Sequence, residues 1–394
     1  MKKRLIYSDL LDHSAKRQVT VITGMRRVGK STAVRYILQQ LNLANSIYLD
    51  CERVEIRILF NGDNYEDIKA QLEIMGLDFS VPVLIALDEI QLVENLPSVI
   101  KYLYDTYSVK FIATGSSSYY MKNQFSESLA GRKRIFEMFP LSFEEFLDFK
   151  GIAVSQYPKY AWITLNKAWY NKFKDYYAEY IRFGGFPEVV LENSPRDKVE
   201  LLKDIINSYI ELDVKLLADY SISEDLYKLV KVLASRSGNK VDYTKISSVT
   251  GINRQKVSAY MQLLEYTYFI YQITPFTKNI DKEISQQTKL YFADTGILNV
   301  LAGDQLSSGQ VFENTIAAQL KTQGTIQYYQ KKTGQEIDFI FNGDTALEVK
   351  ETPVQKDKYT LEQRANGLDL EKYFLLGRYD SNLGFNDFIW GGNL

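Results

Sequence analysis

The hydrophobic pattern predicts an α/β protein whose N-terminal portion is a parallel sheet covered on both faces, and three short stretches carry that prediction. Val19–Thr23 (VTVIT) reads as a buried strand, Val81–Leu87 (VPVLIAL) is apolar on both faces, and Lys110–Thr114 (KFIAT) forms a third. Each runs directly into small or polar residues, and between them lie stretches with apolar residues at helical spacing.

After the first strand comes Gly24-Met25-Arg26-Arg27-Val28-Gly29-Lys30-Ser31, followed by the amphipathic stretch Thr32–Leu41. The spacing G-x-x-x-x-G-K-S in a strand-to-helix turn is that of a phosphate-binding loop. Gly24 and Gly29 let the backbone N–H groups of the loop, through Met25, Arg26, Arg27, Val28 and on to Thr32, curl around a β-phosphate at a helix N-terminus. Lys30 then reaches the β- and γ-oxygens, and Ser31 ligates Mg²⁺. A glycine turn that holds nothing would not need this flanking strand and helix.

The second strand ends in Asp88-Glu89. An acid at the tip of a buried strand can hold Mg²⁺ through water, and the next acid can polarise a water that attacks a γ-phosphate. P-loop proteins with an acid directly after that Asp mostly hydrolyse ATP, whereas a GTPase needs a base-reading N/T-K-x-D loop, which is not expected in this chain, so the expected cofactors are ATP and Mg²⁺. The third strand leads into Gly115-Ser116-Ser117-Ser118, where Thr114 and Ser116 are candidates to sense the γ-phosphate. Arg132, in Ser128–Arg134 ahead of an expected strand Ile135–Met138, reads either as an arginine finger reaching a neighbouring subunit's ATP or as part of a solvated basic loop.

These motifs (G-x-R-R-x-G-K-S, L-D-E-I-Q, A-T-G-S-S, L-A-G-R), with Gly184-Gly185-Phe186-Pro187-Glu188 and Tyr291-Phe292-Ala293-Asp294-Thr295-Gly296, resemble the prokaryotic AAA+-type P-loop ATPases that carry a C-terminal domain of unknown function. The resemblance spans nearly the whole chain. It implies an ATPase core, a winged helix and a C-terminal region similar to restriction-endonuclease folds, without implying a biological task. Many such proteins have Thr where this chain has Ser31, and either hydroxyl can serve the metal.

With 394 residues, 45% hydrophobic and 24% charged, the chain can form two to three domains with sizeable cores. Its N-terminus, MKKRLIYSDLLDHS, lacks the continuous apolar region of a signal peptide, and no apolar run approaches the length that spans a bilayer, so a cytoplasmic protein without membrane partners is expected. One cysteine, Cys51, excludes an intramolecular disulfide, and one histidine, His13, excludes a Cys/His zinc cluster; both are expected at packing or surface positions. A net charge of −2 means that any nucleic-acid surface must be local.

Four segments are expected: the ATPase core (1–145), a helical lid or connector (146–222), a winged helix (223–280) and a nuclease-like α/β domain (281–394). An acidic helix with Glu144, Glu145 and Asp148 spans the boundary to the second, which continues into the aromatic-rich run Tyr157–Phe183. There Trp162, Trp169, Tyr177 and Tyr180 are expected to pack as a helical core, the alternative being a base-stacking platform. Gly184-Gly185 should break that helix and Pro187 fix a turn. Arg182 either contacts ATP from the lid or lies on the surface.

Lys245–Thr250, the turn Gly251-Ile252-Asn253 and Arg254–Leu264 read as a helix-turn-helix with core positions Ile246, Val249, Ile252, Val257 and Leu263, and Phe269–Ile273 as a wing strand. Residues 226–280 carry a local charge of +6. Asn253, Arg254 and Lys256, with Gln255 and Ser258, open the second helix, where DNA bases and phosphates are usually met. Winged helices also dock proteins, so both DNA and a protein partner stay open.

In the last segment, Gln327–Gln330 and Glu336–Phe341 read as a hairpin around Lys332-Thr333-Gly334, with Thr345–Lys350 a further strand. Glu348 and Lys350, two apart, share one face, and with Asp338 they reproduce the D…E-x-K arrangement of restriction-endonuclease-like sites. Two carboxylates there would hold Mg²⁺ and the lysine would help activate water, with Glu313 on the preceding helix completing the metal site. A surface salt pair, or a silent nuclease fold kept for binding, is the competing reading. The expected whole is an ATP-driven machine, acting as a homo-oligomer and in ring form if Arg132 works in trans, that couples turnover to DNA binding or remodelling. An ATP-gated nuclease and an ATP-dependent switch on a protein partner are the alternatives.

Overall fold

The computed structural model describes residues 2–116, 129, 131–152, 164–213, 223–277, 286–331, 334–380 and 384–394. Contacts divide the chain into two units, Met1–Phe139 with Tyr266–Tyr268, and Pro140–Glu265 with Phe269–Leu394. The segments expected as lid, winged helix and nuclease-like domain fall in the second, apart from Tyr266–Tyr268 of the expected winged helix.

The first unit runs α1 (Tyr7–Ser14), β1 (Val19–Thr23), α2 (Lys30–Leu41), β2 (Ser46–Asp50), α3 (Val54–Phe60), α4 (Tyr65–Ile74), β3 (Val83–Asp88), α5 (Leu96–Thr106), β4 (Val109–Gly115) and β5 (Lys133–Glu137). The strands form a five-stranded parallel sheet in the order β2-β3-β4-β1-β5. Every residue of β1 and β3 is buried, as their continuous apolar character requires. β3 starts at Val83 rather than Val81, because Pro82 has no N–H to give the ladder. Thr23 stands opposite Gly115 and Glu137, and Asp50 opposite Asp88, so the strand ends that lead into the phosphate loop, the acid pair and Ser116 lie together at one edge. This is the fold of a P-loop NTPase.

His13 and Cys51 are both buried. His13 Nδ1 lies 2.8 Å from Thr20 Oγ1. Burial, with Asp50, Asp88 and Glu89 nearby, pushes the Cys51 thiol up to about 12, which leaves it an inert packing group.

In the second unit α6 (Phe143–Phe149) starts on a capping box between Ser142 and Glu145, and α7 (Lys167–Phe183), α8 (Pro187–Leu191), α9 (Pro195–Ser208) and α10 (Ser223–Ala234) follow. Next come α11 (Tyr243–Thr250), α12 (Arg254–Tyr266), an antiparallel ribbon of β6 (Ile270–Ile273) and β7 (Lys289–Phe292), α13 (Thr295–Ala302) and α14 (Ser308–Lys321). The chain closes with β8 (Ile326–Gln330), β9 (Glu336–Phe341), β10 (Thr345–Lys350), α15 (Gln355–Asn366), β11 (Lys372–Gly377) and β12 (Ile389–Trp390). These strands make a mixed sheet in the order β12-β11-β10-β9-β8. β8–β9–β10 is the antiparallel part, and α15 is the crossover that lets β10 and β11 run parallel.

The aromatics of α7 are core. Tyr177 packs edge-on against Trp390 at 5.2 Å between centroids, and Tyr170 does so at 5.6 Å, so the helical segment and the C-terminal sheet share one interior. Trp169 lies at the margin of that core, and Trp162 falls outside the described residues. Two expectations need correction. Pro187 does not fix a turn but opens α8, where its missing N–H costs nothing. Val249 is not core: the left-handed turn at Gly251 brings Ile252 back under α11, leaving Val249 61% exposed and Leu263 half-buried.

Candidate functional site

At the exit of β1, Gly24 has φ +148°, and a Cβ there would stand 2.1 Å from the carbonyl oxygen of Met138, so only glycine lets the loop pass β5. Arg27 at φ +63° and Gly29 at φ +99° complete the curl, and α2 begins at Lys30. Arg4 braces the loop from outside, donating from Nη1 to Val28 O (2.9 Å) and from Nη2 to Phe139 O (2.9 Å). Ser31 is half-buried and Thr32 exposed in the first turn of α2, Met25 is buried, and Arg26 lies 3.5 Å from Glu52.

The Lys30 side chain is folded inside the loop. Its ammonium donates to Gly24 O at 2.9 Å and Met25 O at 3.1 Å, and stands 3.9 Å from Glu89 Oε1. Asp88, buried at the end of β3, accepts from Tyr48 Oη at 2.5 Å on Oδ2 and from the Thr114 hydroxyl on Oδ1. Burial and the adjacent Asp88 push the Tyr48 hydroxyl upward, which keeps it a donor. Glu89 turns out of the strand at φ +51°; its N–H donates to Thr114 Oγ1 (3.1 Å), and its Oε2 accepts from Gln91 Nε2 at 2.5 Å. Gln91 Nε2 also donates to Ser116 Oγ at 3.0 Å. Lys30, Asp88, Glu89, Thr114 and Ser116 are therefore linked through short polar contacts.

Hard oxygen donors, the Ser31 hydroxyl and the Asp88 carboxylate, suit Mg²⁺, which in nucleotide sites takes one or two carboxylates with phosphates and water. Among the described residues no group of three or more His, Cys, Asp or Glu side chains is arranged to hold a metal ion. Arg132 lies elsewhere. Its carbonyl accepts from Val19 N at the start of β1, the sheet edge opposite the phosphate loop, and its guanidinium is engaged twice by Asp105 (2.9 and 3.2 Å). The length of β1, roughly 13–17 Å at strand rise, separates it from the ATP loop of its own chain.

The chain does contain an N-K-x-D tetrapeptide, Asn239-Lys240-Val241-Asp242. It is not a base-reading loop of this site. It belongs to the second unit, and Asp242 caps α11 by accepting from Thr244 N and Lys245 N, both at 3.0 Å. Arg182, also in the second unit, lies against the ring of Phe183.

Of the three expected DNA-contact residues, Arg254 is exposed at the start of α12. Asn253 Oδ1 accepts from Gln255 N at 2.8 Å, a helix cap. Lys256 is 2.7 Å from Asp225, and Lys228 is 2.9 Å from Glu224. Glu224 and Asp225 stand just outside the window in which the charge was counted and lower its excess from six to four.

In the C-terminal sheet the pairing of Phe339 with Leu347 puts Asp338 and Glu348 next to each other across β9 and β10. Glu348 Oε1 meets Lys350 at 2.8 Å and Arg364 at 3.4 Å, while its Oε2 is buried with no partner among the described residues. Asp338 Oδ2 accepts from Val349 N at 2.8 Å. Glu313, on α14, accepts from Tyr291 Oη at 2.6 Å. Burial, then the charge of Asp338, pushes both Glu313 and Glu348 up to about 7, and burial raises Asp338 itself. The expected four residues thus gather in one electrostatic cluster, in which each carboxylate has at least one protein donor and Glu348 Oε2 has none among the described residues. Arg4, Tyr48 and Gln91 are functional neighbours that the sequence reading missed. Only Gln91 had a signal, its place in Leu87–Gln91.

Residues 16–147 match a protein-family model described as an AAA domain, and residues 174–308 match one described as a domain of unknown function. An uncharacterized protein of Methanocaldococcus jannaschii is 28% identical over 94% of this chain and 84% of its own length. One from Haemophilus influenzae is 26% identical, over 82% and 79%. Among solved structures, the Thermotoga maritima RuvB Holliday junction branch migration motor is similar with a TM-score of 0.35, 16% identity and coverage of 68% of this chain and 88% of that one. The Aeropyrum pernix ORC1 protein in complex with DNA gives 0.34, 12%, 76% and 91%. At those scores nothing beyond a distant likeness passes from either.

Proposed function

We propose that the chain is a Mg²⁺-dependent ATP hydrolase of the AAA+ type whose second unit binds DNA, coupling turnover to DNA binding or remodelling. The observation that carries the reading is the convergence of Lys30, Asp88, Glu89 and Thr114 at the tips of β1, β3 and β4. Lys30, whose ammonium donates to the carbonyls of Gly24 and Met25, would exchange them for β- and γ-phosphate oxygens. Ser31 and Asp88 would hold Mg²⁺, which when bound neutralises phosphate charge. Thr114 and Tyr48 orient the Asp88 carboxylate, and Glu89 takes the proton of the attacking water. The Gln91 amide, bridging Glu89 and Ser116, fixes where that carboxylate points.

The helix pair α11–α12 followed by the ribbon β6–β7 supports a winged-helix reading, with Arg254 as its outward cation. The order of strands β8–β12 around Asp338, Glu348 and Lys350 supports a nuclease-like fold, and their ion-paired state favours a retained binding module over a cutting one. Arg132, remote from its own loop, acts only on a neighbour's ATP, so the working form is a homo-oligomer. No helix among the described residues is long and apolar enough to cross a membrane, and a cytoplasmic setting is part of this proposal. The test is the ATPase rate with and without double-stranded, single-stranded and branched DNA over a salt series. Stimulation that weakens as salt rises is expected. Hydrolysis indifferent to DNA, with no DNA binding at low salt, would favour a switch acting on protein.

A further inference from the structure

The nuclease-like reading of the C-terminal sheet calls for Glu313, Asp338 and Glu348 to share a divalent cation, and the side chains present do not fit that ion. Each carboxylate is already engaged by the protein: Glu313 by the Tyr291 hydroxyl, Asp338 by the Val349 N–H, Glu348 by Lys350 and Arg364. A further cation enters from a distant part of the chain. Lys289, the first residue of β7, buries its side chain to 7% exposure, pairs with Glu336 and stands 4.0 Å from Glu313, with the ring of Tyr328 5.5 Å away.

An ammonium taken out of water is costly unless it is paired, and here carboxylates of α14 and β9 pair it. We propose that Lys289 is a built-in counter-ion of this acidic centre, occupying the place of a metal, and that the centre binds a divalent cation only when that ammonium is removed. The proposal rests on the nuclease-like reading of strands β8–β12 and goes beyond it by naming the group that keeps the site silent.

Two observations support it independently. The first is charge: Lys289 is the ammonium that Glu313 and Glu336 share, while Lys350 and Arg364 serve Glu348, so loss of Lys289 removes a positive charge from the acidic centre that a cation can replace. The second is the Glu348 Oε2 atom, which is buried with no partner among the described residues while its carboxylate sits beside Asp338. A buried oxygen without a donor is an expensive feature in a merely structural ion pair, and it is the acceptor a cation would use.

The ammonium is also held firmly in place by its strand. Val241 N donates to Thr288 O at 2.8 Å and Gly238 N to Leu290 O at 2.8 Å, which tie the residues on both sides of Lys289 to the loop between α10 and α11. Lys289 is therefore delivered by the ribbon that follows the helix pair, not by the strands that carry the D…E-x-K residues.

The experiment is Mn²⁺ titration of the full-length protein without nucleotide, by calorimetry and by the spin-resonance signal of free Mn²⁺. Wild type, Lys289→Met, Lys289→Gln, Glu313→Gln and the double variant Lys289→Met/Glu313→Gln are compared. Wild type is expected to show no tight site. Lys289→Met is expected to bind one ion per chain at least about tenfold more tightly than wild type, and to lose it again with Glu313→Gln. Its melting temperature should fall below that of wild type in chelator and recover with Mn²⁺, because an ion that binds only the folded state stabilises it.

If the methionine variant does not fold, Lys289→Gln, which keeps a donor of similar length, decides the matter. Folded variants that bind Mn²⁺ no better than wild type overturn the proposal. So does wild-type binding that Glu313→Gln abolishes, and this outcome needs no lysine variant; it would leave the nuclease-like reading standing and remove only the counter-ion. Failure of the ATPase reading shows separately, in hydrolysis of ATP by the wild-type protein.

Discussion

Replacing Glu89 by Gln separates binding from hydrolysis in a way the geometry makes quantitative. The Lys30 ammonium is 3.9 Å from Glu89 Oε1, with both side chains nearly buried. At an effective dielectric of about 20 that separation corresponds to roughly 4 kcal/mol of gross attraction, part of which competes with phosphate for Lys30. The carboxamide removes the competing charge while keeping the shape, and its oxygen can still accept from Gln91 Nε2. ATP affinity should therefore be unchanged or up to about tenfold tighter, since only a fraction of the gross term survives the carbonyl contacts Lys30 already makes. Turnover should fall by about 10²–10⁴, the usual contribution of a positioned general base. Lys30→Ala is the opposite case, because it removes the cation itself and should abolish ATP binding. The assay is equilibrium titration with a fluorescent ATP analogue beside steady-state phosphate release. If Glu89→Gln weakens binding as much as it slows release, Glu89 holds nucleotide and does not act on water.

Three further outcomes follow from side chains already placed. Arg132→Ala should reduce turnover with nucleotide affinity nearly intact, and wild-type specific activity should rise with protein concentration; full activity of a monomer at every concentration would show that Arg132 serves only Asp105. Arg254→Ala should lower the slope of log affinity for DNA against log salt by about one unit, whereas Lys256→Ala, whose ammonium belongs to Asp225, should change the slope less and the melting temperature more; equal slopes for both would remove the distinction. Burial pushes the Asp294 carboxyl up to about 6 against N–H groups of Gly185, Ile297 and Gly296, which hold it down. A carboxyl raised in the folded state contributes stability that is complete below its unfolded value near 4 and is lost as pH rises through about 6. The loss amounts to about 3 kcal/mol, so the denaturant midpoint should fall between pH 4.5 and about 7.5 more steeply in wild type than in Asp294→Asn. Parallel slopes would show that Asp294 does not titrate in that interval.

The phosphate loop and the acid pair were legible because their chemistry demands particular residue types at fixed spacing beside a buried strand. Gly24 shows why the spacing is strict, since nothing larger passes the Met138 carbonyl. What escaped were partners supplied from far along the chain. Tyr48 reaches Asp88 across the β2–β3 pair, and Arg4 braces Val28 from the N-terminal end; neither has a local pattern that announces it. β11, β12 and α15 were missed as well, being elements whose burial is set by the sheet they complete.

Charge shows the same division in its sharpest form. A count over residues 226–280 treats every lysine as available, yet the fold gives Lys256 to Asp225 and Lys228 to Glu224, two acids at the end of a neighbouring stretch. The D…E-x-K site is the mirror case. Its spacing is real, because strand alternation and the β9–β10 register do place Asp338, Glu348 and Lys350 together. Whether those carboxylates are open to a metal depends on Lys289, which stands 49 residues before Asp338 and enters from another sheet. A motif records which atoms a reaction would need; the long-range ion pairs decide whether those atoms are still unspent, and only the fold can bring that second set of residues to the first.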